Sequence, residues 1–251
     1  MKHYFSKLLL MVMFIPWVMQ AQTTPAPASL PYTCGFEDAA ENANWVIQNG
    51  VATNKFFIGQ ATANQGEKSL YISNDNGTTN AYTITAAGYA IAYREISIQT
   101  QGVYEVSFDW RANGESTFDF LRVFLVPDGA ADVLTPSTST SAHTGITASA
   151  SPASWIAVDR GTKLNLVITW QNFKNDEIVL NQGNYKLVFY WRNDPSGGNV
   201  PPIAIDNISI SEVQCPKVSG LQVTNLTTNS AAIAWNTTPR SEEHTSELQS
   251  P

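Results

Sequence analysis

Histidine, cysteine and charge are all scarce in this chain of 251 residues, which has three His, two Cys and only 14% Asp, Glu, Lys and Arg. Each shortage excludes something. His3 falls in an apolar leader and His244 in an aberrant tail, which leaves His143 in a Ser/Thr/Ala-rich stretch. A serine triad needs a base held in place, and this chain offers no good one. There is no thiol to spare, no glycine loop to cradle phosphate and no His-rich metal spacing. The formal net charge of −7 repels phosphate backbones, so nucleic acid is excluded as a partner. No apolar run reaches the roughly 20 residues of a membrane span. Helical periodicity is missing too.

What is present sorts into segments. Lys2, His3 and Lys7 precede an apolar run, Leu8 to Met19, and Gln20-Ala21-Gln22 follows it. Residues 1–21 therefore read as a secretory signal, and the protein as exported, either secreted or displayed at the cell surface. Residues 22–30 are a Pro/Ala/Thr linker. At the other end, Arg240 to Ser250 (RSEEHTSELQS) is similar to the conceptual translation of a short-read sequencing adapter. Residues 240–251 are read as that artefact, with the natural sequence truncated near Pro239 and further domains lost downstream. Removing both ends takes away three basic and three acidic residues, so the net charge stays at −7.

Between them the pattern is that of strands. Val103 to Trp110 puts Tyr104, Val106, Phe108 and Trp110 on one face and Glu105, Ser107 and Asp109 on the other, the period of a half-buried antiparallel strand. Tyr185, Leu187, Phe189 and Trp191 alternate in the same way, as do Leu164, Leu166, Ile168 and Trp170. Phe118 to Val126 is apolar on both faces, as a central strand is. Ser69 to Ser73 runs into Asn74-Asp75-Asn76-Gly77, a strong turn signal. Asp128 to Ser154 reads as a long mobile loop. An all-β, two-sheet antiparallel sandwich fits these segments.

In an oxidising compartment Cys34 and Cys215 invite a disulfide, with two free thiols as the alternative. Such a closure would stabilise the fold by roughly 5 kcal/mol in the chain-entropy model.

Two motifs frame residues 31–216: Cys34-Gly-Phe-Glu37 at the start, and Ala204-Ile-Asp206-Asn-Ile208 followed by Cys215 at the end. With Tyr71 to Asp75 (YISND), Ala92 to Ile96 (AYREI) and Ser107 to Glu115 (SFDWRANGE), they resemble the MAM-like jelly-roll family, which includes the cleaved-adhesin and "choice-of-anchor J" modules of secreted Bacteroidetes proteins. The resemblance implies a jelly roll whose two ends are neighbouring strands, bringing Cys34 and Cys215 within bonding reach. It also implies a structural Ca²⁺ held by Glu37 and Asp206, with Asp75 as a further ligand. Asn207 stands where the closing motif usually has a second acidic residue. Residues 217–239 resemble the start of a fibronectin type III domain, with Val218 to Leu226 as its first strand and Ser230 to Trp235 as its second.

For chemistry, Asp109, Glu115 and Asp119 are the carboxylates that a glycosidase mechanism would draw on. Binding suits the sequence better. Trp45, Phe57 and Trp155 stand at strand edges and are the candidate sugar platforms. The expectation is a non-catalytic adhesion module for a glycan or an extracellular protein. The alternative is an accessory domain of a secreted protease or glycosidase.

Overall fold

The computed structural model describes residues 25–131, 134–137, 145–215 and 219–236. The segment expected to be a signal, His143 and the adapter-like tail lie outside them. The fold is a two-sheet antiparallel jelly-roll sandwich followed by a separate hairpin.

β1 (Tyr32–Cys34) leads into a single helical turn, α1 (Ala39–Asn42), capped by the Asp38 carboxylate, which accepts from the Ala40 N–H at 2.8 Å. β2 (Val46–Gln48), β3 (Lys55–Gly59) and β4 (Ser69–Ser73) follow, then β5 (Gly88–Ile98), β6 (Gly102–Ala112) and β7 (Phe120–Pro127). β8 (Ile156–Ala157), β9 (Val167–Leu180), β10 (Gly183–Asn193) and β11 (Ala204–Glu212) complete the sandwich. One sheet runs β3-β4-β11-β6-β9, with β1 also on β11; the other runs β2-β5-β10-β7-β8. Thus β2 and β3 are edge strands of opposite sheets.

The alternation read in β6 and β10 is observed. Tyr104, Val106, Phe108 and Trp110 are buried against Leu187, Phe189 and Trp191 from the facing sheet. Phe108 and Phe189 meet edge to face, with ring centroids 5.3 Å apart. β7 is buried on both faces, for a reason the sequence did not show. The described parts of the 128–158 segment lie on the outer face of the five-stranded sheet, where Ile146 and Trp155 make a second small core with Tyr89, Phe124 and Tyr190. Arg122 holds this cover down. Its guanidinium pairs with Asp159 at 2.6 and 3.1 Å and donates to the carbonyls of Thr147 and Ala150, with both charged side chains fully buried. The expected mobile loop is, over these residues, a packed third layer.

The run Leu164 to Trp170 also departs from expectation. Leu164 bridges to Leu121 of β7 and is buried, but Leu166 and Ile168 are more than half exposed. Leu166 has a φ of 59°. That left-handed residue turns the chain from one sheet towards the other and resets the alternation, so Val167 rather than Ile168 packs on the core.

The two ends do meet as neighbouring strands, but the disulfide does not form. In the β1–β11 register Cys34 lies opposite Ile208, and both cysteines are free thiols, Cys34 buried and Cys215 exposed. Antiparallel pairing carries the chain after Ile208 away from Cys34. Seven residues of extended chain separate the sulfurs by up to about 23 Å along the strand.

β12 (Ser219–Leu226) and β13 (Ala231–Asn236) pair only with each other. Leu221, Val223, Ile233 and Trp235 are all more than half exposed. A two-stranded ribbon buries too little to hold itself. Among the described residues, no helix is long and apolar enough to cross a membrane.

Candidate functional site: a cleft at the edge strands

The six site residues expected for metal and ligand fall in different places. Trp45 and Trp155 are core residues. Trp45 packs between Phe36 and Phe189, with ring centroids 5.4 and 6.0 Å away, and Trp155 meets Phe124 edge to face at 5.2 Å. Each is about 95% buried, so neither presents a ring to a ligand. Their positions beside turns mimic surface aromatics in sequence, but the neighbouring chain closes over them.

Glu37, Asp75 and Asp206 do not converge. Asp75 is held within its own turn. One oxygen accepts from the Ser73 hydroxyl at 2.6 Å and the Thr79 N–H at 2.9 Å, the other from the Thr79 hydroxyl at 2.7 Å. These donors hold its carboxyl down at about 2. Glu37 accepts the N–H groups of Glu67 and Lys68, which lower its pKa. Asp206, fully buried, accepts those of Asn64, Gln65 and Asn207; its burial raises its pKa against them. Glu37 and Asp206 thus pin the same 64–68 loop. What faces them is backbone N–H, the opposite polarity to the oxygen shell that Ca²⁺ needs. The arrangement does not fit the expected cation.

The carboxylates weighed for catalysis also separate. Asp109 receives three carboxamide N–H donors, from Asn64, Asn172 and Asn207, at 2.7 to 2.9 Å. Burial alone would raise its pKa, but the three donors together lower it. Glu115 and Asp119 do meet, joined by Asp194, with one oxygen of each within 4.8 Å of the others. Asp119 is fully buried, bonded to the Tyr82 hydroxyl at 2.5 Å and to the Asp194 N–H at 3.1 Å. Gly198 lies directly over that bond, so close that a Cβ there would stand 2.1 Å from the Tyr82 oxygen. No sugar can reach it.

Phe57 is placed differently from the two tryptophans. β3 reads Lys-Phe-Phe-Ile-Gly, with Phe56 and Ile58 packed on the core and Phe57 turned outward and half-buried. Its ring rests on Gly77, where a Cβ would come within 3.2 Å of the ring carbons. Asn76 and Gly77, at φ 60° and 85°, make the left-handed corner that brings the backbone under the ring. Asn49 closes the free edge of β3. Its carboxamide accepts from the Phe56 N–H at 2.7 Å and donates to the Phe56 carbonyl at 3.1 Å, standing in for a paired strand.

Two open clefts meet at Phe57. One, of about 810 Å³, runs between the β2 and β3 edges under α1 and is lined by Asn42, Ile47, Asn49, Gln60 and Lys68 as well as Phe57. The other, of about 320 Å³, continues past Thr53, Lys55, Asn74 and Asn76. Carboxamides therefore share the track with apolar side chains such as Ile47 and Ile58, and Phe57 is the outward aromatic ring where the two clefts join. The Asn42 Nδ2 donates to the Phe36 carbonyl at 2.7 Å, while its Oδ1 is buried with no hydrogen-bond partner. The carboxamides were not singled out from sequence, because isolated Asn and Gln carry no pattern until the two edges come together.

No protein-family model matches the chain, and no curated protein matches it. Among solved structures it is similar to the family 22 carbohydrate binding module of Clostridium thermocellum Xyn10B, at 13% identity and a TM-score of 0.41, covering 73% of this chain and 94% of that one. It is similar to the N-terminal tandem domain of Paenibacillus barcinonensis Xyn10C at 14% identity and a TM-score of 0.43, covering 80% and 51%. A structure solved with beta-1,4-galactotriose, TmCBM61, gives 13% identity and a TM-score of 0.38, covering 67% and 88%. Likeness at this level says nothing of a ligand.

Proposed function

We propose that this chain is a non-catalytic, exported binding module of the MAM-like jelly-roll kind, which holds a glycan in the track centred on Phe57. The observation that carries this reading is the outward, half-buried Phe57 ring standing in an open cleft that the side chains of Asn42, Asn49 and Gln60 also line. A sugar ring offers an apolar face of C–H groups for Phe57 and hydroxyl groups for the polar side chains around it. The open, shallow shape suits a chain of rings lying along the surface. A drug-sized ligand, by contrast, is enclosed over most of its surface.

The test is a glycan array with the full chain, followed by titration calorimetry of each hit. Phe57→Ala should weaken a hit about 5- to 10-fold, the value of one aromatic contact, and leave the melting temperature nearly unchanged. An unaltered affinity would place the ligand elsewhere. Silence across the array would end the glycan reading.

A further inference from the structure

The track has a charge preference. Ten Lys and Arg residues lie among the described residues, and eight have an evident partner. Arg94, Arg122, Arg160, Lys174 and Lys186 are in ion pairs. Arg111, Lys163 and Arg192 lie over the rings of Trp170, Phe120 and Phe118. The two left over are Lys55 and Lys68, which stand in no ion pair and over no ring. Lys68 Nζ reaches the Glu37 carbonyl at 3.4 Å, and its charge helps to hold the Glu37 carboxyl down without an ion-pair contact. Both line the Phe57 track, one in each cleft.

Their placement follows from the ladder. Lys55 pairs with Ser73 at one end of β3–β4, and Lys68 immediately precedes Ser69 at the other. Five strand steps, from Ser73 to Lys68, put the two backbone positions about 17 Å apart, with Phe57 between them. That is the reach of a short oligosaccharide rather than of a single ring. The nearest carboxylates are already engaged: Glu37 by the N–H groups of Glu67 and Lys68, Glu67 by the Gln60 carboxamide at 3.0 Å, and Asp75 by its own turn. In a chain of net charge −7, two ammonium groups outside any ion pair, at the ends of one track, are a selective feature.

We infer that the ligand of this track is an anionic glycan, carrying carboxylate or sulfate groups spaced to meet Lys55 and Lys68. This rests on the glycan reading and adds the charge class to it. Each lysine is solvent-facing, so its contact is modest and screened by salt.

The experiment titrates the full chain with an oligouronate, with a sulfated oligosaccharide and with a neutral oligosaccharide of matching length, in low and in high salt. The two anionic arms distinguish carboxylate from sulfate recognition. At least one should bind more tightly than the neutral ligand and weaken as salt rises. Lys55→Gln and Lys68→Gln should each lower that affinity about 2- to 5-fold, and the double variant about 10-fold, with neutral binding unmoved. The inference is overturned if the neutral glycan binds as tightly as both anionic ones, or if the lysine variants bind like the parent. Binding of neutral glycans alone, lost in Phe57→Ala, would leave the track as a glycan site and remove only its charge class. No binding of any arm would remove both.

Discussion

Replacing Asp119 with Asn tests the account of the carboxylate trio at the closed end of the sandwich. Asp119 is fully buried, and that burial, with the carboxylates of Glu115 and Asp194 beside it, pushes its pKa up to about 6. In an unfolded chain the same group ionises near about 4. A raised acid is stabilising only while protonated. Its contribution is complete below about pH 4 and is lost as pH climbs through about 6. Between about pH 5 and about pH 7 the native state loses about 1.4 kcal/mol, one pKa unit's worth. For a domain of this size that is about 3–6 °C in melting temperature. Asn keeps the shape and can still meet the Tyr82 hydroxyl, but it does not titrate. Melts of parent and Asp119→Asn at both pH values should show the parent falling more by that amount. Glu37, Asp75 and Asp109 are all shifted downward and titrate below this window. Asp206, shifted upward, is present in both proteins and cancels in the difference. If the two proteins lose the same stability from about pH 5 to about pH 7, the raised Asp119 is refuted.

Two further outcomes follow from placements that reversed expectation. Trp45→Ala should destabilise by about 3–5 kcal/mol in urea unfolding, the loss for a large core aromatic, and a change below about 1 kcal/mol would return Trp45 to the surface. In the native protein a maleimide should modify the exposed Cys215 within minutes and Cys34 only after denaturation, because burial shields Cys34 and raises its thiol pKa. A peptide map showing the two sulfurs joined would overturn the β1–β11 register.

The strands were legible where one face is buried and the other wet. In β6 the pattern Tyr104, Val106, Phe108, Trp110 against Glu105, Ser107, Asp109 allows a single register, and the core follows it. The closing motif was legible in part: Asp206 is buried and structural, but two of its three donors come from the 64–68 loop, more than a hundred residues away in sequence. Leu166 shows what a local period cannot say. Its apolar neighbours alternate as a core strand does, and one left-handed residue turns them to solvent. Tryptophan was the weakest guide, because Trp45 and Trp155 read alike whether a loop stops short of them or folds across. The orphaned Asn42 oxygen and the unpaired lysines are products of tertiary placement, so no spacing in the chain announces them.

The cover over the five-stranded sheet decides which surface is free to bind, and Asp159 decides the cover. Removing one partner from a buried ion pair leaves the other charge desolvated, at a cost of about 3–5 kcal/mol. In Asp159→Asn the Arg122 guanidinium would keep one carboxamide oxygen and the Thr147 and Ala150 carbonyls, on the very segment the pair secures, but no counter-charge. The cheapest response is for the segment to lift, wetting Arg122 and exposing Tyr89, Phe124 and Tyr190. Asp159→Asn should therefore bind a hydrophobic dye in the native state, and the amides of β7 and β10 should exchange faster. Glycan affinity should stay as in the parent, because Phe57 and its carboxamides stand on the β2–β3 edge and not under the cover. A variant that takes up dye and also binds glycan more tightly would show that the covered face is the ligand surface, and the edge track would have to be given up.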